Sequence, residues 1–366
     1  MAERKLRTHY REHYKHELEA FEQAEDKKPQ SQMKREMNAL RKYWGCYPFQ
    51  YFRYGMYRND CRLNLKEMKD YIPNYFAYYL FFPKHFKDYG VVSEDKELTY
   101  QLLKSYELPQ PVLVWQYKNG AFYDSSKTEI TGLRADQLVR QSGAGRLFLK
   151  PTKGLGGNGI LVFNEQPEYR DGQGNELTHE FVRETLGEQQ DYILQEGLIQ
   201  HEELNRIYPN AVNTFRVMTE FKDGNAKVMF GMLRMGQGGS QLDNASQVGL
   251  VCRIDPESGE FDPLVHQGHG ATVDRHPDSG FRFEGYRFPY WEQIRTLAEE
   301  AARKFETIGY GGWDIAYTQD GPSIIELNAA PGLEYLQDSH GGVREAYGIT
   351  DPRAYWNNPS FTLRDL

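Results

Sequence analysis

Apolar positions recur at two different periods along this chain, and the switches between the periods mark its elements. Near the start, Leu6, Tyr10, Tyr14 and Leu18 fall on every fourth position, with Phe21 next, which makes one apolar face of a helix. Asp26-Lys27-Lys28-Pro29-Gln30-Ser31 then breaks it. Residues 91–116 predict a short helix followed by a strand, with Pro109 and Pro111 leading into Val112-Leu113-Val114. Arg146-Leu147-Phe148-Leu149-Lys150 predicts a strand, followed by a glycine run and a second strand at Ile160-Leu161-Val162-Phe163. Residues 191–194 are another apolar strand, ending in polar Gln195-Glu196. Residues 213–221 and 226–235 read as two strands joined by a turn at Asp223-Gly224-Asn225. Trp291, Ile294, Leu297, Ala298, Ala301, Phe305 and Ile308 make a helical face, stopped by Gly309. Last, Trp313, Ile315 and Tyr317 alternate with Asp314, Ala316 and Thr318, and a turn at Gln319-Asp320-Gly321-Pro322 sends a second strand back through Glu326 and Asn328.

Composition narrows the setting. A chain of 366 residues can bury a substantial core and form two or three subdomains. The net charge of −8 does not suggest a nucleic-acid polyanion as the main partner, while a local basic pocket for a nucleotide is still allowed. The three cysteines, Cys46, Cys61 and Cys252, lie far apart and provide neither a disulfide framework nor a zinc ribbon. The charged opening MAERKLRTHYREHYKHE has no apolar signal segment, and the most apolar run, residues 71–82, is too short to span a bilayer and contains Pro73. The expectation is a cytoplasmic protein with no membrane insertion. The charged N-terminal helix reads as an arm lying on its own body or on a second subunit, which would make a homodimer. A docking arm for a partner enzyme is the sharper alternative. Residues 43–90 are crowded with aromatics, which is more often core than a sugar platform. The turn-rich residues 255–289 hold His266 and His269 along with His276; without nearby cysteines or a regular helix they read as a substrate-facing loop rather than a zinc site.

Two hairpins carry candidate chemistry. In the late one, Glu326 and Asn328 share a strand face. A three-residue turn over Gln319-Asp320-Gly321 would set Asp314 opposite Glu326, whereas a two-residue turn would put it on the other side. The first register gathers a few hard oxygen donors, which suits Mg²⁺ carrying phosphates; the bland alternative is a solvated polar face. In the early hairpin, Gly154-Leu155-Gly156-Gly157-Asn158-Gly159 follows a strand that ends in Lys150. A dinucleotide fingerprint needs a helix after the glycines, and here a strand follows. A Walker loop needs Gly-Lys-Ser/Thr, and a kinase needs H-R-D and D-F-G, none of which is present. A glycine tip whose backbone N–H groups fold over phosphates remains, with Lys150 as a point charge beside it. Arg216 and Arg234 interrupt apolar strands, so each needs an anion. That anion is either a structural carboxylate or a γ-phosphate or acyl phosphate gripped by two bonds, and the second reading is preferred. Asn244 follows as a group to orient a phosphate or a metal ligand.

In this order, Asp95-Lys96, Lys150-Pro151 with its glycine hairpin, the strand end at Gln195, Glu196 and Leu198, Arg216, Arg234, Asp314, and Glu326-x-Asn328 with Pro331-Gly332 resemble the ATP-grasp enzymes over roughly residues 91–340. Asn213-Thr214-x-Arg216, Asp243-Asn244 and Tyr71-Ile72-Pro73 resemble its sugar-transfer-associated family, which is related to α-L-glutamate ligases. Where that family often has Gly-Gly shortly after Asp-Asn, this chain has Gln247-Val248-Gly249. The resemblance implies an α+β fold of two subdomains clasping ATP, behind an aromatic-rich N-terminal helical extension. The implied units are a charged arm (1–44), a preceding region (45–118), a small subdomain with a glycine-rich lid (119–198) and a large subdomain with the metal site (199–366). It implies Lys96 and Lys150 on the phosphates, Gly154, Gly156, Gly157, Asn158 and Gly159 as the lid, and Gln195, Glu196 and Leu198 around adenine. Glu202 or Glu203 would take the ribose hydroxyls. Asp314, Glu326 and Asn328 would hold two Mg²⁺ ions, with Mn²⁺ able to substitute, and Arg216, Arg234 and Asn244 would be catalytic. The activity implied is ligation of a small carboxylate to an amine on an amino acid, peptide or sugar-linked precursor, through an acyl phosphate, with release of ADP and phosphate. A small-molecule kinase on the same scaffold and a non-catalytic nucleotide-binding partner of polysaccharide assembly are the alternatives.

Overall fold

The computed structural model describes residues 9–154, 159–187, 190–241, 249–267 and 271–356. Leu6 lies outside the described residues; from His9 the apolar spacing is helical over residues 9–13 and, after a turn at Tyr14, in α1 (Lys15–Gln23), and Pro29 opens α2 (Gln30–Trp44). The arm lies on its own body. Tyr14 stacks on Phe49 at 5.0 Å, and Glu17 pairs with Arg53 at 3.0 Å. The aromatic stretch is mostly core: Trp44, Phe76, Phe81 and Phe82 are fully buried with Met218, Met232 and Leu336. Asp95 accepts hydrogen bonds from the backbone of Glu97 and Leu98, capping α3 (Lys96–Ser105) and fixing where it starts.

The fold is α+β, built on two antiparallel sheets of seven strands each. The first holds β1 (Leu113–Lys118), β2 (Ala121–Tyr123), β3 (Glu129–Ile130), β4 (Arg146–Pro151), β5 (Leu161–Glu165), β6 (Tyr169–Arg170) and β7 (Tyr192–Glu196). Their order is β3-β2-β1-β7-β4-β5-β6. Because β1 pairs with β7, this sheet takes in Leu113–Lys118. Helices α4 (Gly132–Ser142) and α5 (His179–Leu186) bury Ala135, Val139, Val182 and Leu186 against it.

The second sheet holds β8 (Thr214–Lys222), β9 (Asn225–Met235), β10 (Leu250–Ile254), β11 (Phe261–Gln267), β12 (Ala271–Val273), β13 (Tyr310–Thr318) and β14 (Gly321–Asn328). Their order is β12-β11-β10-β9-β8-β13-β14. Helix α6 (Trp291–Lys304) lays Trp291, Ile294, Leu297, Ala298 and Ala301 on it, as the spacing predicts. The helix ends before Phe305 and Ile308, yet both stay buried. After β14 the chain turns at Pro331-Gly332 into α7 (Glu334–His340). Gly312 of β13 lets that turn approach, since a Cβ there would meet Pro331 at 2.6 Å. Among the described residues no helix is long and apolar enough to cross a membrane.

Trp313 anchors the second sheet. It is 0% exposed, its indole N–H donates to Thr219 Oγ1 at 2.9 Å, and Phe305 meets it edge-on at 5.5 Å. Trp313→Ala removes an indole from a closed core and leaves the Thr219 hydroxyl without its donor. The expected loss is about 3–5 kcal/mol of unfolding free energy in a urea titration. A loss under about 1 kcal/mol would mean that the site collapses around the gap and that Trp313 is no anchor.

Candidate active site

The β13–β14 hairpin reaches the expected pairing by an unexpected route. Thr318 pairs with Gly321, so Gln319 and Asp320 form a two-residue turn rather than a three-residue one. That turn alone would offset Asp314 from Glu326. The ladder then shifts: Ile315 pairs with Ile324 but Asp314 pairs with Glu326, leaving Ile325 as a β-bulge. The extra residue restores Asp314 opposite Glu326. It also sets Asn328 opposite Gly312, whose carbonyl accepts from the Asn328 amide at 3.3 Å. The NH₂ end of that amide is thereby engaged, and its oxygen is left for a ligand.

Arg216 of β8 pairs with Asp314 of β13, so Arg216, Asp314 and Glu326 form a row across three adjacent strands. Asp314 is 4% exposed. Arg216 grips both of its oxygens, with Nη2–Oδ2 at 2.8 Å, and Arg234 Nη1 reaches Oδ2 at 3.0 Å. Burial alone would raise the Asp314 pKa, but the two guanidinium groups outweigh it and hold the carboxyl below its ordinary value. The anion that the two arginines require is therefore supplied, in this structure, by Asp314.

The first sheet and α3 bring the lysines. Lys150 Nζ donates to Gln195 Oε1 at 3.0 Å. Burial pushes its pKa down to about 8, assisted by Lys96 and opposed by Glu326. The Lys96 backbone N–H donates to Thr152 O at 2.8 Å, which ties the start of α3 to the end of β4. Lys96 Nζ donates to Gly154 O at 2.8 Å and stands 3.6 Å from Glu326 Oε1. One ammonium thus joins the glycine loop of the first sheet to the carboxylate row of the second.

These groups face one cavity of about 420 Å³. Lys96, Lys150, Gly154, Gln195, Glu196, Leu198, Arg216, Arg234, Asp314, Glu326 and Asn328 all line it. Gly159, Glu202 and Glu203 do not. Glu202 is exposed, and Glu203 accepts from Tyr286 Oη at 2.9 Å and Arg206 Nη1 at 2.8 Å. Gly156, Gly157, Asn158, Asn244 and His269 lie outside the described residues. His276 is fully buried, with Nε2 2.9 Å from Gly236 O and its ring on Tyr208, so it serves its loop. The cavity also takes in Phe148, Thr214, Tyr78, Glu334 and Tyr335. Phe148 and Thr214 could have been found by alternation, two residues before Lys150 and Arg216 on the same strand faces. Nothing local singles out Tyr78, Glu334 or Tyr335.

Two antiparallel sheets closing on one cavity, with Lys150 and a glycine loop from one, a carboxylate row from the other and Lys96 from α3 between them, are the ATP-grasp fold. A model of the sugar-transfer-associated ATP-grasp family matches residues 81–345, and the chain belongs to that family. Solved structures similar to it include D-cycloserine synthetase, at 16% identity over 73% of this chain and 72% of that one, TM-score 0.41. Biotin carboxylase from Campylobacter jejuni is 12% identical over 74% and 48%, TM-score 0.42. N5-carboxyaminoimidazole ribonucleotide synthetase from Thermotoga maritima is 13% identical over 65% and 42%, TM-score 0.35, so the chain spans less than half of that protein's length. At these identities and TM-scores the structural likeness carries no argument about activity. No curated protein matches the sequence.

The buried ammonium of Lys150 gives a test that needs no ligand. Its folded pKa is about 8 against 10.5 for an ordinary lysine. The folded state is therefore penalised below about 8, and the penalty lifts as pH rises toward 10.5. Lys150→Met is expected to stabilise the protein most below about pH 8, with the gain shrinking above it, in denaturant titrations across that range. Parallel stability curves for the variant and the native chain would show that this amine is not desolvated.

Proposed function

We propose that this chain is an ATP-dependent ligase that joins a small carboxylate to an amine, releasing ADP and phosphate. The observation that carries the reading is the convergence of Lys96 and Lys150 from one side with Arg216, Arg234, Asp314, Glu326 and Asn328 from the other on a single cavity. Gln195, Glu196 and Leu198 would hold the adenine where the β7 ladder ends, and Lys96 and Lys150 would take the phosphates.

The donor set fits Mg²⁺. Glu326 and Asn328 offer oxygens two residues apart on one strand face. The Lys96–Glu326 separation of 3.6 Å leaves that carboxylate loosely held. Asp314 stands opposite as a third donor, open to a metal once a guanidinium turns toward phosphate. Charge balance argues the same way. Among the described residues, four cations (Lys96, Lys150, Arg216, Arg234) and four carboxylates (Glu196, Asp314, Glu326, Glu334) line the cavity. A triphosphate therefore needs divalent ions to be neutralised. When bound, Mg²⁺ draws charge from the phosphate oxygens and lowers the repulsion between an attacking carboxylate and the γ-phosphate.

The residues then have separate tasks. Arg216 and Arg234 steady the transferred phosphoryl group and the acyl phosphate. The glycine hairpin shields the mixed anhydride from water. The amine attacks the acyl carbon; a C–N bond forms, the C–O bond to phosphate breaks, and the departing phosphate can take the proton that the amine sheds. No protein nucleophile is required.

An ADP-release screen with amino acids and uronic acids, offered in pairs with Mg²⁺, tests the reading, with Asp314→Ala as control. Turnover is expected only when acid, amine and metal are all present, and chelating the metal should abolish it. Glu326→Ala and Lys150→Ala should each lower the rate by about 100-fold or more without unfolding the protein. Native rates in both variants, or phosphate left on a hydroxyl of the substrate, would contradict the ligase; the latter result would indicate a kinase.

A further inference from the structure

The cavity continues beyond the arginine clamp, and its direction can be followed contact by contact. Lys150 meets Gln195 at the end of β7, and Lys96 stands 3.6 Å from Glu326. Glu326 pairs across the strands with Asp314, and Asp314 holds Arg216. Past Arg216 stands Tyr78, near enough to feel the charges of both Arg216 and Glu334. Tyr335 lines the same end.

This end has different chemistry. Among the described residues, no lysine or arginine besides Lys96, Lys150, Arg216 and Arg234 lines the cavity; the charged group lining this end is Glu334, and Arg53, 5.6 Å from the Tyr335 ring, stands off the lining with its charge acting on Glu334. Glu334 lines the cavity, and its side chain keeps 19% of its surface accessible. From behind it is held by the N-terminal helix: His13 Nε2 lies 3.1 Å from each carboxylate oxygen. Burial alone would raise the Glu334 pKa, but hydrogen bonds from His13 and Tyr14 and the charge of Arg53 outweigh it and lower it. Glu334 is therefore anionic at neutral pH. Tyr78 sits in a π-helical turn, Ala77–Phe81, a rare conformation that frequently marks functional sites. A Cβ at Gly332 would come within 3.3 Å of the Tyr78 hydroxyl, so the small residue leaves room for it.

A carboxylate would repel the acid that is to be activated, so it suits the other substrate. We propose that this end is the acceptor subsite, where Glu334 recognises the amine-bearing substrate as its ammonium form against Tyr78 and Tyr335; the ammonium gives one proton to water before the neutral amine attacks, and the departing phosphate takes the second. The N-terminal helix is then part of the active site, because His13 fixes Glu334. The proposal rests on the ligase reading, which decides that an amine is the second substrate.

The test is calorimetry on the full chain loaded with Mg²⁺ and a non-hydrolysable ATP analogue. The probes are glucosamine and L-alaninamide, each compared with its hydroxyl counterpart, glucose or lactamide. At least one amine is expected to bind, with its counterpart at least about ten-fold weaker, roughly the worth of one charge-assisted hydrogen bond. Glu334→Gln should reduce the amine to the level of its counterpart while the affinity for the nucleotide analogue stays unchanged, which also shows that the variant folds. His13→Gln should weaken the amine in the same direction. Equal binding of amine and hydroxyl, full amine affinity in Glu334→Gln, or no amine binding to the loaded protein would each overturn the acceptor subsite. Failure of the nucleotide analogue to bind the native chain would instead overturn the ligase reading.

Discussion

A carboxylate buried as deeply as Asp314 cannot persist without cations, and the rest of the site follows from how that need is met. Two arginines from neighbouring strands satisfy it, and in doing so they are drawn into a sheet interior that would otherwise exclude them. The same pairing keeps both guanidinium groups at one place on the cavity wall, beside Glu326. A guanidinium that already holds one oxyanion is preorganised to hold another in its stead. The clamp is thus both a structural bond and a store of positive charge facing the cavity.

The second constraint is how two separate sheets come to share one cavity. Lys96 answers much of it. Its backbone hydrogen-bonds to Thr152 and its ammonium to Gly154, while the same ammonium approaches Glu326 of the other sheet. It is the first residue of a helix whose start is set by the Asp95 cap, so local capping chemistry places a charge between distant parts of the chain. At the opposite end the N-terminal helix plays a comparable part, with His13 reaching Glu334.

Much of this was legible in the sequence because strands and helices write their periods locally. The strand at Trp313, the helical face from Trp291 to Ala301 and the lysine near the end of β4 read directly, although β13 is buried on both faces where its alternation pointed to one. The β13–β14 register was right in outcome and wrong in cause. A turn of two residues and a bulge at Ile325 together give the pairing that a turn of three would have given alone, and no local pattern marks a bulge. In this structure the anion beside Arg216 and Arg234 is Asp314, which a strand pattern could not name: it shows that an arginine is buried, but the partner lies on another strand and depends on the pairing order. Glu334 was invisible for the same reason, since its contact with His13 spans 321 residues of sequence. Neither Glu202 nor Glu203, one of which the resemblance assigns to the ribose, lines the cavity: Glu202 is exposed, and Glu203 is bonded to Tyr286 and Arg206.

The central claim is that both sheets converge on one metal-bound nucleotide. The most direct measurement is a crystal structure grown with Mn²⁺ and a non-hydrolysable ATP analogue, with the ion located by its anomalous scattering. The account predicts the ion beside Glu326 and Asn328, with the phosphates between it and the ammonium groups of Lys96 and Lys150. An ion at some other carboxylate cluster, or a nucleotide whose phosphates touch only one of the two sheets, would contradict it.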